Sequence, residues 1–186
     1  MKVRAGVLKS LFLVTLLALA GATAGVSSAR AGTAIAPDVS AIQTQVHHKL
    51  AMLTWYGVFD HLEYQVNGTV VTLSGQVISE HDQTKYNAEK AVESIPGVTK
   101  VVNNIEVLPL STFDNQIRRA EYRAIFSQSD LGRYTLGAIP QVHIIVKNGH
   151  VSLEGIVLNQ MDKSVAGIVA NSVPGVFSVE NNLRVG

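Results

Sequence analysis

The chain has 186 residues, with 15 Lys and Arg against 14 Asp and Glu, 47% hydrophobic residues and no cysteine. Without cysteine there are no disulfides and no lipid-modified N-terminal thiol, so stability has to come from apolar cores. The formal charge of +1 comes from the N-terminus: setting aside Lys2, Arg4, Lys9 and Arg30 leaves 11 basic and 14 acidic residues, which lacks the basic footprint of a general nucleic-acid binder.

Residues 1–31 read as a secretory signal peptide. Lys2, Arg4 and Lys9 form a positive start, and Leu11 to Ala20 an apolar stretch too short to span a bilayer comfortably. Small-residue cleavage sites follow at Ala22-Thr23-Ala24 and Ala29-Arg30-Ala31, so cleavage is expected near 24 or 31 and the mature chain is expected to be exported.

Pro37-Asp38 opens the first expected helix, with Asp38 as N-cap and Ile42, Val46, Leu50 and Leu53 on one stripe, ending near Thr54. Gly57 then breaks the helix, within a segment carrying Trp55, Tyr56 and Phe59. Leu62 to Val77 reads as a hairpin: apolar residues alternate along both arms, and Asn67-Gly68 supplies the tight turn. Ser79 to Ile95 reads as a second helix, stopped by Pro96-Gly97, and a strand interrupted by Asn103-Asn104 closes the unit.

The chain then repeats itself. At a shift of 80, Val66, Val71, Leu73, Gly75 and Val77 return as Val146, Val151, Leu153, Gly155 and Val157, and at a shift of 78 Pro96-Gly97 and Asn103-Asn104 return as Pro174-Gly175 and Asn181-Asn182. Such spacing means two copies of one small domain. The second turn pair, Asn148-Gly149, sits one step later than the first, so the turns need not be of one type. Asp114 to Gln128 is the expected first helix of the second copy, Asp130 to Pro140 a longer connector, and Asn159 to Ser172 its second helix. The expected fold is α+β: two tandem α-β-β-α-β domains at 38–109 and 113–186, each a three-stranded mixed sheet packed against two helices.

The pieces VTLSGQV at 71–77 with PGVTKVVNNIEV at 96–107, and VSLEGIV at 151–157 with PGVFSVENNLRV at 174–185, resemble the BON domain (bacterial OsmY and nodulation). The resemblance covers nearly all of the chain after the leader. It implies a small α/β sandwich, a periplasmic or outer-membrane location, affinity for anionic phospholipid, and a role in envelope integrity or osmotic protection. It brings no catalytic residues.

The residues themselves point away from an enzyme. Ser74-Gly75 lies inside a strand without a nucleophile elbow, and the glycines sit at turns and on strands, not in a phosphate loop. His47 and His48 are adjacent and cannot form the i, i+4 pair of a helical metal site. His61, His81, His143 and His150 stand apart, His143 on the outward phase of its strand, so structural or solvated roles are expected and neither a metal nor a cofactor.

Charge is more informative. Residues 38–110 carry 4 basic and 8 acidic side chains, and residues 111–186 carry 7 basic and 6 acidic. Arg118, Arg119, Tyr122, Arg123 and Phe126 fall on one side of a helix, and Arg133 and Tyr134 could extend the patch along the connector. Guanidinium groups beside aromatic rings suit an anionic headgroup region. The competing readings are a helix kept soluble by its arginines over a closed core, or an arginine face docked on the acidic first unit. Trp55, Tyr56 and Phe59 form a second candidate surface, for docking on an envelope protein, unless they plug the gap between helix and sheet.

Overall fold

The computed structural model describes residues 38–78, 81–137 and 139–186. The expected leader lies outside the described residues, as do Ser79 and Glu80, expected to open the second helix.

In the first repeat α1 spans Val39–Ala51, β1 His61–Asn67, β2 Val70–Val77, α2 Asp82–Glu93, β3 Lys100–Asn103 and β4 Glu106–Val107. In the second, α3 spans Thr112–Phe126, β5 Val142–Lys147, β6 His150–Val157, α4 Gln160–Asn171, β7 Ser178–Asn181 and β8 Arg184–Val185. In each repeat the middle strand, β2 or β6, pairs antiparallel with its hairpin partner and parallel with the two halves of the closing strand. This is the expected α-β-β-α-β order, written twice.

Local chemistry accounts for the element ends. Asp38 caps α1, its carboxylate accepting from the Ser40 and Ala41 N–H groups. Ser111 and Asn159 do the same for α3 and α4, accepting from Asp114 and Asp162. α1 stops at Ala51, before the expected Thr54, and α3 starts two residues before the expected Asp114 because its cap is Ser111. The hairpin turns do differ in type. In the first only Gly68 has positive φ, at 61°, whereas in the second both Asn148 and Gly149 do, at 53° and 78°, the pattern of a type I′ turn.

Two of the repeated residues now have physical reasons. A Cβ at Gly75 would stand 2.0 Å from the His61 carbonyl oxygen, and one at Gly155 2.1 Å from that of Gln141, both at φ beyond +100°; only glycine fits. Asn103 and Asn181 break the closing strand by turning their amides onto the second helix, donating to the Lys85 and Lys163 carbonyls at 2.9 and 2.7 Å. Their carbonyls accept from Ile105 and Leu183.

Each repeat has its own core. The first gathers Ile42, Val46, Val71, Leu73, Val92 and Ile105; the second gathers Ile117, Ile125, Ile144, Val146, Leu153 and Leu183. A third cluster joins them: Ile78 and Leu108 of the first repeat pack with Ile145 of the second, and Phe59 lies against all of this. β5 is consequently buried from Val142 through Val146 on both faces, unlike β1, whose outward residues face water.

Candidate functional site

On α3 the buried stripe is Asp114, Ile117, Arg118, Glu121 and Ile125. Arg118 therefore leaves the expected arginine surface. It lies about 20° around the helix from Ile125, so it sits on the boundary of the core-facing stripe, and it is 3% exposed. Its guanidinium donates to the Val146 carbonyl at 2.6 Å and pairs with Asn115. What remains outward is Arg119, Arg123 and Tyr122, the last 39% exposed. The half-buried Phe126 packs on the second core and meets the Tyr122 ring edge-on at 5.0 Å.

The connector is not an extension of that surface either. Tyr134 is buried at 1% exposure and pins three elements: its hydroxyl donates to the Asp162 carboxylate and accepts from the Leu158 N–H. Arg133 pairs with the same carboxylate at 3.2 Å. An apolar ring with a polar tip closes the core here, and Arg133 neutralises the acid it bonds.

The Trp55–Asp60 segment is a clasp between the repeats, which neither sequence reading of its aromatics anticipated. The buried Asp60 holds it, accepting from the Gly57 N–H at 3.0 Å, the Ile78 N–H at 2.9 Å and the His81 ring at 2.8 Å. The Val58 carbonyl then accepts from Ile144 of β5 at 2.8 Å, extending the second repeat's sheet by one bond. Tyr56 stacks on His143 at 5.4 Å and Phe59 meets Tyr122 at 6.3 Å. A Lys147–Glu106 ion pair of 2.6 Å crosses the same boundary. Trp55 alone of the three points outward, 68% exposed and at φ 72°.

His143 is thus not a lone solvated histidine. It is 5% exposed, bonded to the Gly57 carbonyl at 3.1 Å and 5.6 Å from the His61 ring; burial first, and then His61, hold its pKa down to about 4. Glu121 is the opposite case: fully buried, with neither carboxylate oxygen hydrogen-bonded, it is pushed by burial up to about 8. Among the described residues no group of three or more His, Cys, Asp or Glu is placed to hold a metal ion, and no helix is long and apolar enough to cross a membrane.

Between the repeats, where the end of α1 and the edge of β1 face β6 and β8, lies a groove of about 390 Å³. Leu50, Leu62, Ile156 and Leu158 give it apolar walls, while its polar lining includes His47, His61, Gln141, His143 and Arg184.

A family model for the BON domain matches residues 38–109 and 128–186. The chain belongs to the BON domain family. It carries the domain twice, and the second match begins just after α3, although Ile117 and Ile125 of α3 belong to the second core. No curated protein sequence matches the chain. Among solved structures it is similar to the C-terminal domain of CdsD, "the structural protein of the Type III secretion system of Chlamydia trachomatis", at 13% identity over 77% of this chain and 96% of that one, with a TM-score of 0.32. A second CdsD structure from Chlamydia trachomatis is 13% identical over 78% of this chain and 93% of that one, with a TM-score of 0.28.

The signal that sequence reasoning passed over lies in the differences between the BON copies. At the shift of 80, Glu63 and Gln65 on the outward face of β1 become His143 and Ile145 on β5. An apolar residue on the outward phase marks a covered face.

Proposed function

We propose that this BON protein is a non-enzymatic, exported periplasmic component of the cell envelope. Its second domain makes a weak contact with anionic phospholipid, in a role of envelope integrity or osmotic protection. The domains are taken as 38–109 and 113–186, since α3 contributes to the second core. The observation that carries the reading is the outer face of α3: Arg119 and Arg123, one turn apart, are exposed without a hydrogen bond or ion pair among the described residues, and flank the half-exposed Tyr122. Each basic side chain near an anionic surface contributes about 1 kcal/mol. Two give a contact on the order of 2 kcal/mol, which salt weakens further.

Co-sedimentation with phosphatidylglycerol vesicles at low salt tests this. Binding is expected to fall on raising the salt, on using phosphatidylcholine, and in Arg119→Gln/Arg123→Gln. Equal binding to both vesicle types, or no binding at low salt, refutes it.

The second reading is docking on an envelope protein, and Trp55 favours it. A bulky non-glycine residue at positive φ is a backbone outlier, and here it presents an indole to solvent from a segment that Asp60 fixes. Trp55→Ala should then abolish a partner contact that survives moderate salt and leave vesicle binding unchanged.

A further inference from the structure

The groove between the BON domains is a built cavity separate from the α3 surface. We infer that it binds a small single-chain amphiphile with an anionic head, a medium-chain carboxylate being the simplest member of the class. Its size, about 390 Å³, falls in the range of small-molecule sites, and such sites pair apolar walls with a few polar groups that fix orientation.

The groove's own lining carries the fixed charge of Arg184. No Asp or Glu lines the groove, and Arg184 has no hydrogen bond or ion pair among the described residues. Both ring nitrogens of His61 are buried without a hydrogen bond, the nearest acid being Glu63 at 3.4 Å from Nε2. Arg184 and His61 also border the neighbouring polar cleft along β1, which Glu63 lines as well. The cationic end of the groove therefore opens to water, and the apolar walls lie behind it. An anionic head would meet the Arg184 guanidinium, while its tail would lie along Leu50, Leu62, Ile156 and Leu158. Of these, Ile156 is 49% and Leu158 62% exposed, so a tail would cover apolar surface now facing water.

An added peptide strand on the β1 edge is the less favoured occupant. The Leu62 N–H on that edge already donates to the Tyr56 hydroxyl, at 3.4 Å, and the walls are side chains instead of open backbone.

The test is calorimetric titration of the full protein with sodium octanoate and sodium decanoate below their micelle concentrations, with decyltrimethylammonium as the cationic control. One decanoate per chain is expected. Affinity should rise roughly threefold to fourfold for each methylene from octanoate, and the cationic control should bind at least about tenfold more weakly. Arg184→Gln should weaken decanoate about tenfold. Ala51→Trp, which fills the apolar end from α1, should remove binding. Leu158→Asp, at an exposed wall position, should weaken it without a core change. Arg119→Gln/Arg123→Gln should leave it untouched, which separates this site from the vesicle contact. No decanoate binding, equal binding of both head charges, or binding that persists in both Ala51→Trp and Leu158→Asp overturns the inference.

Discussion

Glu121 offers the sharpest test of the second domain's core. Its carboxyl is fully buried, unbonded, and pushed from 4.5 up to about 8 by burial. Because the folded value lies above the unfolded one, the folded chain holds a proton that the unfolded chain releases, and stability falls as pH rises from 4.5 towards 8. His143 works the other way: its folded value of about 4 lies below the ordinary 6.5, so stability is lost as pH falls from 6.5 towards 4. The two slopes oppose each other between 4.5 and 6.5. Only Glu121 acts between 6.5 and 8, a span worth about 2 kcal/mol at 1.36 kcal/mol per unit. For a domain pair of this size that corresponds to a fall in melting temperature of about 4–8 °C. The assay is thermal denaturation followed by circular dichroism at closely spaced pH values. Glu121→Met, similar in length and without a charge to bury, should flatten the curve above pH 6.5 and raise the melting temperature at pH 8. Parallel curves for the two proteins across this window would refute the reasoning.

The same instrument reads the other expectations. His143→Phe should remove the acid-side loss between pH 6.5 and 4, roughly 3 kcal/mol in full, and leave the alkaline side alone. Asp60→Ala strips acceptors from the Gly57 and Ile78 N–H groups and from His81; the cost should be about 2–4 kcal/mol in urea denaturation. It should also separate the unfolding of the domains if the clasp is what couples them. Gly155→Ala drives a methyl group into the Gln141 carbonyl at 2.1 Å, so a loss above about 3 kcal/mol is expected, against about 1 kcal/mol for Gly68→Ala, whose methyl meets nothing within 4 Å and is strained only by the positive φ. Lys147→Gln should cost no more than about 1 kcal/mol, since both partners of its ion pair with Glu106 are nearly half exposed.

Where the fold was legible in the sequence, a local rule decided it. Strand alternation, the Asn-Gly turns and the Pro-Gly stops act over a few residues, and the repeat stated them twice. Asp38 was readable as a cap because capping is local chemistry. The site was harder because it depends on what lies opposite. Arg118 sits on the boundary between the two faces of α3, and the Val146 carbonyl across from it draws its guanidinium inward. Tyr134 looked like a surface aromatic until Asp162, 28 residues on, supplied its partner. The groove draws on α1, β1, β6 and β8, so no single window of sequence contains it.

Burial of β5 on both faces makes the two copies unequal. The first domain keeps a polar outward face on β1, and its apolar share of the boundary is Ile78, Leu108, Val58 and Phe59. The second carries His143 and Ile145 there and relies on Val58 and Phe59 for cover. Severed from its neighbour, the second domain would expose an apolar sheet edge to any strand that came near, a route to self-association. During synthesis the domain made first is the one that shields the domain made second, so the order of the duplicates is itself a protective feature. Exchanging them in a permuted chain should yield a protein that aggregates although every residue of both cores is retained.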